Sequence, residues 1–291
     1  MPRFGSRSMW VASLALGLMF LSGCNAFRVF FPSSHHDETP PELPDGVERP
    51  AILVFSKTNG FRHDEAIDEG LPFFQETARK RGWGYFATEN GAVHNPEQLA
   101  RFDVVVWFQS SGDVLDDSQR EALRAWIESG GSFFGIHGTG GDPEYDWKWQ
   151  PETLVGAQFI GHPMNPQFQE ATLQIEDVAH PAMRHLGARW TRTDEWYSFE
   201  ESPRVSGAHI LATLDESTYS PRMKMFFMDR ELAMGDDHPV VWTQCVGRGH
   251  SLYSALGHLA DAYAEPMHQT FLAESIAWLI SARLEACEVS R

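Results

Sequence analysis

The sequence predicts an α/β fold: a mixed, mainly parallel sheet covered by helices on both faces. Three observations carry this. Short apolar runs alternate with helical stretches from Ala51 to Ile136. The runs "AILVF", "DVVVWF" and "SFFGI" are continuously apolar, as strands buried on both faces are. Beyond residue 142 several strand-like runs follow one another without helices, which adds antiparallel strands through an insertion spanning about residues 142 to 235.

The elements follow in order. "AILVF" begins the folded part as a buried strand. In "HDEAIDEGLPFFQETARKRG", Ile67, Leu71, Phe74 and Ala78 share one helical face, and Gly82 ends the helix after Arg79, Lys80 and Arg81, which suit its C-terminal dipole. "WGYFAT" reads as a strand, "NPEQLARF" as a short helix and "DVVVWF" as a buried strand. "DDSQREALRAWIESGG" is a helix, with Ser118 and Glu121 read as its capping box and Gly130 and Gly131 as its stop. "SFFGI" is the next strand. "ATLQIED", "HILATL", "MKMFFMD", "PVVWTQC" and "HSLYSA" are strand-like, and "PMHQTFLAESIAWLISARLEAC" is a closing helix with Pro266 in its first turn. The folded domain is placed at residues 50–285.

Two segments precede it. Arg3 and Arg7, the apolar run "MWVASLALGLMFL" and the box "LSGC" have the form of a bacterial lipoprotein signal over residues 1–23, with Cys24 as the lipidated first residue of the mature chain. Asn25 is not the aspartate associated with inner-membrane retention, so the expected location is the periplasmic side of the envelope, on the outer membrane. Residues 24–49, rich in proline, serine and charge, read as a flexible tether in which His35 and His36 are solvated. Cys245 and Cys287 are read as buried or idle thiols.

The chain has 291 residues, 42% hydrophobic and 12% aromatic, enough for a large core. Its formal charge of −17 becomes −19 on cleavage before Cys24, because two arginines leave. Such acidity excludes nucleic acid as a partner and leaves the lipid anchor as the expected link to a membrane.

In open α/β sheets the ligand crevice lies at the carboxyl ends of the strands. After "AILVF" come Lys57, Asn59, Arg62 and His63; after "DVVVWF", Gln109, Ser110 and Ser111; after "SFFGI", His137; after "HSLYSA", His258. Gly138, Gly140 and Gly141 after His137 permit positive φ, close approach and open backbone N–H groups. "FIGHP" supplies His162, and "DEWY" supplies Asp194, Glu195, Trp196 and Tyr197 among aromatics suited to a sugar ring. His180 and His238, each before a proline, are read as loop or strand-entry residues; His94, His185, His209, His250 and His268 are read as structural.

With "VFSKTNGFRHDEAI", "VVWFQSSGDVLDDSQREALRAWIESGGSFFGIHGTGG", "GHP", "DEWYSF" and "GRGHSLYSALGH" in this order, the chain resembles the ThuA-like family, named for trehalose utilisation, over about residues 50 to 281. The resemblance implies a flavodoxin-like sandwich similar to class I glutamine amidotransferases. His137 stands where those enzymes carry a catalytic cysteine, so a cysteine glutaminase is not expected. The resemblance also implies disaccharide or keto-sugar catabolism, with a small carbohydrate as ligand and a sugar oxidoreductase as a partner. His63, His137, His162, Asp194, Glu195, Tyr197 and His258 fall within matching motifs.

The resulting expectations are these. His63, His137, His162, Glu195 and His258 hold a divalent metal such as zinc. His137, Asp194, Glu195 and Tyr197 are catalytic, one acid serving as a ligand or as general base and Tyr197 as a donor to developing negative charge. Asn59, Gln109, Ser110, Gly138 and Trp196 contact substrate. The alternative is a carbohydrate-binding or sensing lipoprotein without turnover, in which the histidines only donate hydrogen bonds, or a structural protein that keeps an enzyme fold.

Overall fold

A computed structural model describes residues 28, 31–45, 47–142, 146–225, 227–285 and 287. The signal segment 1–23 and Cys24 lie outside the described residues. Among the described residues, no helix is long and apolar enough to cross a membrane.

The first half is a regular β–α alternation. Strand β1 (Ala51–Phe55) leads to helix α1 (Asp64–Arg81), then β2 (Gly84–Thr88), the short helix α2 (Pro96–Leu99), β3 (Val104–Phe108), α3 (Asp117–Glu128) and β4 (Ser132–Ile136). Helix α1 stops where Gly82 turns left-handed at φ 69°. Helix α3 does carry a capping box, but two residues earlier than the sequence suggests: Asp116 is the N-cap and Gln119 its reciprocal partner. Asp at the cap accepts from the Gln119 N–H, and the Gln119 side chain accepts from the Asp116 N–H.

The second half is mostly antiparallel. It comprises β5 (Phe159–Gly161), β6 (Phe168–Ile175), β7 (Arg189–Glu195), β8 (Ser198–Phe199), β9 (His209–Asp215), β10 (Arg222–Met225), β11 (Met228–Glu231), β12 (Pro239–Val246) and β13 (Gly249–Ser254). Helix α4 (Pro266–Ala282) closes the chain. The main sheet has nine strands in the order β2-β1-β3-β4-β13-β12-β9-β6-β7. Strands β2, β1, β3, β4 and β13 run parallel, and β12, β9, β6 and β7 alternate.

Side-chain alternation splits the core into the two cores of a three-layer sandwich. Ile52, Val54, Val104, Val106 and Phe108 pack with Ile67 and Phe74 of α1 and Phe271 and Ile276 of α4. Leu53, Phe55, Val105 and Trp107 face the other way, onto Leu99, Leu123 and Ile127. This confirms the predicted α/β sandwich.

Two expectations need correction. Cys245 and Cys287 are joined in a disulfide, with Cα atoms 5.4 Å apart across a sequence separation of 42. It ties the tail after α4 to β12, an arrangement that sequence spacing does not reveal. Residues 31–45 are not a loose tether. The Ser33 N–H donates to Asn59 O at 2.7 Å, Gln98 Nε2 donates to Pro41 O, and Asp37 accepts from Lys57 Nζ at 2.5 Å and from the Gly91 N–H at 2.8 Å. Within this strap His35 is largely exposed, whereas His36 is only about a quarter exposed and faces Asp113.

Candidate functional site

The carboxyl ends of β1, β4 and β13 deliver His63, His137 and His258 to one place, as the strand-end rule anticipates. Glu195 arrives from β7, four places from β13 in the sheet order. The antiparallel half must therefore curl over the carboxyl edge, and it is held there. Asp194 accepts from the Gly257 and His258 N–H groups at 2.8 and 3.1 Å. One donor atom from each of His63, His137, Glu195 and His258 lies within 4.8 Å of all the others.

The hydrogen bonds fix which atoms face inward. His137 Nδ1 lies 2.7 Å from Ala255 O, a pure acceptor, so Nδ1 carries the proton. In the neutral ring, Nε2 then presents its lone pair to His258 Nδ1 at 3.1 Å and Glu195 Oε2 at 3.4 Å. His258 Nδ1 lies 2.9 Å from that same carboxylate oxygen. His63 is buried, and its Nδ1 has no hydrogen-bond partner among the described residues. Ring nitrogens and a carboxylate gathered in this way, beside an orphaned imidazole nitrogen, form a cluster that could hold a cation.

Charge states agree. Burial alone raises the Glu195 pKa, but the close His137 and His258 imidazoles outweigh it and hold it well below the ordinary value, so the group is a carboxylate. Burial, followed by His137 and His258, pushes the His63 pKa well down, which keeps its ring neutral. Burial and then the Glu195 charge hold Tyr197 well above its ordinary value, as a phenol. Its ring stacks on His137 with centroids 4.2 Å apart. Two neutral or donor-fixed imidazoles, a third imidazole and one carboxylate form a nitrogen-rich set suited to zinc or a similar divalent ion.

His162 is close but outside the four. Its Nδ1 is 3.1 Å from Glu195 Oε1 and 3.0 Å from Pro163 O, so it is committed to protein acceptors. It is not among the four residues whose donor atoms converge, and its Nδ1 steadies the Glu195 carboxylate, together with Gln167 Nε2 at 2.5 Å.

Asp194 is fully buried, its oxygens occupied by the Glu195, Gly257 and His258 N–H groups and by Arg192 Nη2 at 3.1 Å. Burial raises its pKa, but Arg192 leads the interactions that bring it below the ordinary value. These contacts make it a framework group that positions the His258 loop.

The expected substrate contacts build the walls instead. Gln109 is fully buried, donates to Gly257 O and Tyr263 Oη, and accepts from the Gly138 N–H. Ser110 donates to Phe55 O, Asn59 donates to His35 O and Asp113 O, and Trp196 donates to Gln169 O. Asn59, Ser110 and Trp196 are buried, and small polar groups at strand ends were needed to satisfy backbone carbonyls there.

The glycines after His137 serve packing, not an anion hole. The Gly138 N–H is already taken, and a Cβ there would lie 3.1 Å from the His63 ring. A Cβ at Gly140 would enter the Tyr253 ring at 2.6 Å, and one at Gly141 would lie 2.7 Å from Tyr197 Oη. The positive φ instead falls on His137 itself, at 44°, and on Gln109, at 58°. Tyr253 Oη bonds His137 O at 2.9 Å and helps hold that conformation.

Sequence reasoning missed several contributors. Arg192 sits two residues before Asp194 on the same strand face, a pairing that period-two reading offers. Phe168 packs over His258 with centroids 4.9 Å apart and is 38% exposed at the rim. His238, read as a loop or strand-entry residue, does stand at the entry to β12, but it is also fully buried, bonded to Glu216 Oε1 at 2.6 Å and to Tyr197 O at 2.8 Å.

The family model described as ThuA, trehalose utilisation, matches residues 51–279, and the chain belongs to the ThuA family. That membership makes its function carbohydrate-related in general terms. A ThuA-like protein from Bacteroides uniformis has a similar structure, with a TM-score of 0.67 at 19% identity, over 83% of this chain and 95% of that one. A ThuA-like protein from Parabacteroides merdae gives 0.59 at 15% identity, over 82% and 91%. At these identities the likeness speaks for the fold. No curated protein matches the sequence.

Proposed function

We propose that the protein is a divalent-metal enzyme acting on a small carbohydrate, with His63, His137, Glu195 and His258 as the ligands. The observation that carries this is the convergence of those four donors within 4.8 Å from separate parts of the chain, with the His63 Nδ1 unpartnered among the described residues. A divalent ion held there supplies Lewis acidity to a substrate carbonyl or hydroxyl oxygen.

The chain's own groups do the rest. Ala255 O fixes the His137 tautomer, and Gln167 and His162 hold the outer oxygen of Glu195, so two ligand atoms are aimed before any ion arrives. The Tyr197 phenol remains a proton donor beside His137. The exposed Phe168 ring at the rim gives a sugar an apolar face to lie on.

Location in the bacterial envelope through a lipidated Cys24 belongs to the same proposal. The Cys245–Cys287 disulfide supports it, because such bonds persist in oxidising compartments.

The test is metal analysis of the purified chain, followed by assays of keto-sugar and disaccharide turnover before and after chelation. Stoichiometric metal, with turnover lost to chelator and regained on adding zinc, is expected. Metal-free protein that still binds sugar without turning it over would favour a binding lipoprotein.

A further inference from the structure

We infer that the N-terminal strap, residues 33–37, is a positioning element of the metal site, acting through the loop that carries His63. This rests on the metal reading for its functional consequence and on the hydrogen bonds alone for its structural part.

The loop from Lys57 to His63 is gripped from two sides. On one side, the Asn59 and Gly60 N–H groups donate to Ser111 O, at 2.8 and 3.1 Å, and Ser111 Oγ donates to Phe61 O at 2.5 Å. On the other side stands the strap. The Ser33 N–H donates to Asn59 O at 2.7 Å, Asn59 Nδ2 donates to His35 O at 3.1 Å, and Lys57 Nζ donates to Asp37 Oδ2 at 2.5 Å. Lys57 is 7% exposed, so its ammonium is nearly withdrawn from water and depends on that carboxylate. Asp37 is anchored in turn, accepting from the Gly91 N–H while its own carbonyl accepts from Gln119 Nε2.

The grip continues into the site. Gly112, next to Ser111, donates its N–H to Asp142 Oδ2 at 2.6 Å, and Asp142 follows the turn that begins at His137. The strap, the His63 loop and the His137 turn therefore form one bonded chain. The strap lies outside residues 51–279, the span of the family match, and bonds the loop that leads to His63.

The experiment uses the full chain and two strap variants. Asp37→Asn leaves the Lys57 charge buried without its partner; Ser33→Pro removes one N–H from the strap and disturbs no buried charge. Asp37→Asn with Lys57→Met removes both charges and serves as the rescue. Hydrogen exchange of residues 57–63 reads the positioning directly, and titration with Co2+ alone, followed by visible absorption, reads the ligand set.

Asp37→Asn is expected to speed exchange in the 57–63 loop and to weaken Co2+ binding by about tenfold, the scale of outer-sphere changes. Ser33→Pro should act in the same direction with a smaller effect, and the double variant should restore both readouts. Should Asp37→Asn fail to fold, Ser33→Pro decides. Unchanged exchange in the 57–63 loop for the variants overturns the inference. Faster exchange with no Co2+ uptake by the parent chain upholds the strap and rejects the metal reading instead.

Discussion

The parallel half of the molecule and its antiparallel half contribute to the site in opposite ways. β1, β3, β4 and their loops place His63 and His137 where a general rule of open sheets says ligands sit, and the glycines beyond His137 let aromatic rings close in. The antiparallel half supplies Glu195 from the far edge of the sheet, and it needs a buried framework to keep that edge folded over. Arg192, Asp194, Glu216 and His238 form that framework. Imidazoles come from strand ends that any such fold provides. The carboxylate comes from a curl that this chain must stabilise with buried charge.

The comparison breaks most sharply at His238. Its ring bridges Glu216 Oε1 at 2.6 Å and Tyr197 O at 2.8 Å, tying a carboxylate to a backbone carbonyl beside the site. His238→Ala should destabilise the protein by about 3 to 5 kcal/mol, measured by urea unfolding, because Glu216 is left with only backbone donors. Burial raises the Glu216 pKa, but the His238 bond and the Met234 N–H bring it below the ordinary 4.5. That stabilisation is complete above pH 4.5 and disappears as the pH falls through the lower, folded value. A loss under 1 kcal/mol would show that the antiparallel half does not depend on this pair.

Next in size is the disulfide. Replacing Cys245 and Cys287 by serine should cost about 3 kcal/mol, since a closed loop of this length limits the unfolded chain. The metal affinity should be unchanged, because the bridge ties the far end of β12 to the tail.

Acid titration sharpens the contrast between ligand and framework histidines. Burial leads in lowering His94 to about 4 and His268 to about 3, from 6.5. Their folded forms are neutral, so the unfolded chain takes up protons first. Stability should be full above pH 6.5 and fall as the pH drops from 6.5 towards the folded values, by about 3 kcal/mol for His94 and about 5 kcal/mol for His268. His94→Gln should flatten part of that slope, with pH-dependent thermal melting as the measure.

Much of the fold was legible in the sequence, since continuous apolar runs and helix stops marked the alternating strands and helices of the first half. The histidines were legible for the same reason. The split between Asp194 and Glu195 was not assigned, although adjacent residues of one strand point to opposite faces. Asn59, Gln109 and Ser110 looked like ligand contacts because polarity at a strand end signals a site and backbone satisfaction equally well. Only the partner carbonyls distinguish the two. The strap and the disulfide depend on contacts between distant residues and leave no periodic trace.

The most direct test of the central claim is zinc titration of the metal-stripped chain by calorimetry, with His137→Gln as the comparison. One tightly bound ion per chain, with affinity lowered at least about tenfold in the variant, is the predicted result. Zinc binding that is absent, or equal in both proteins, would contradict it.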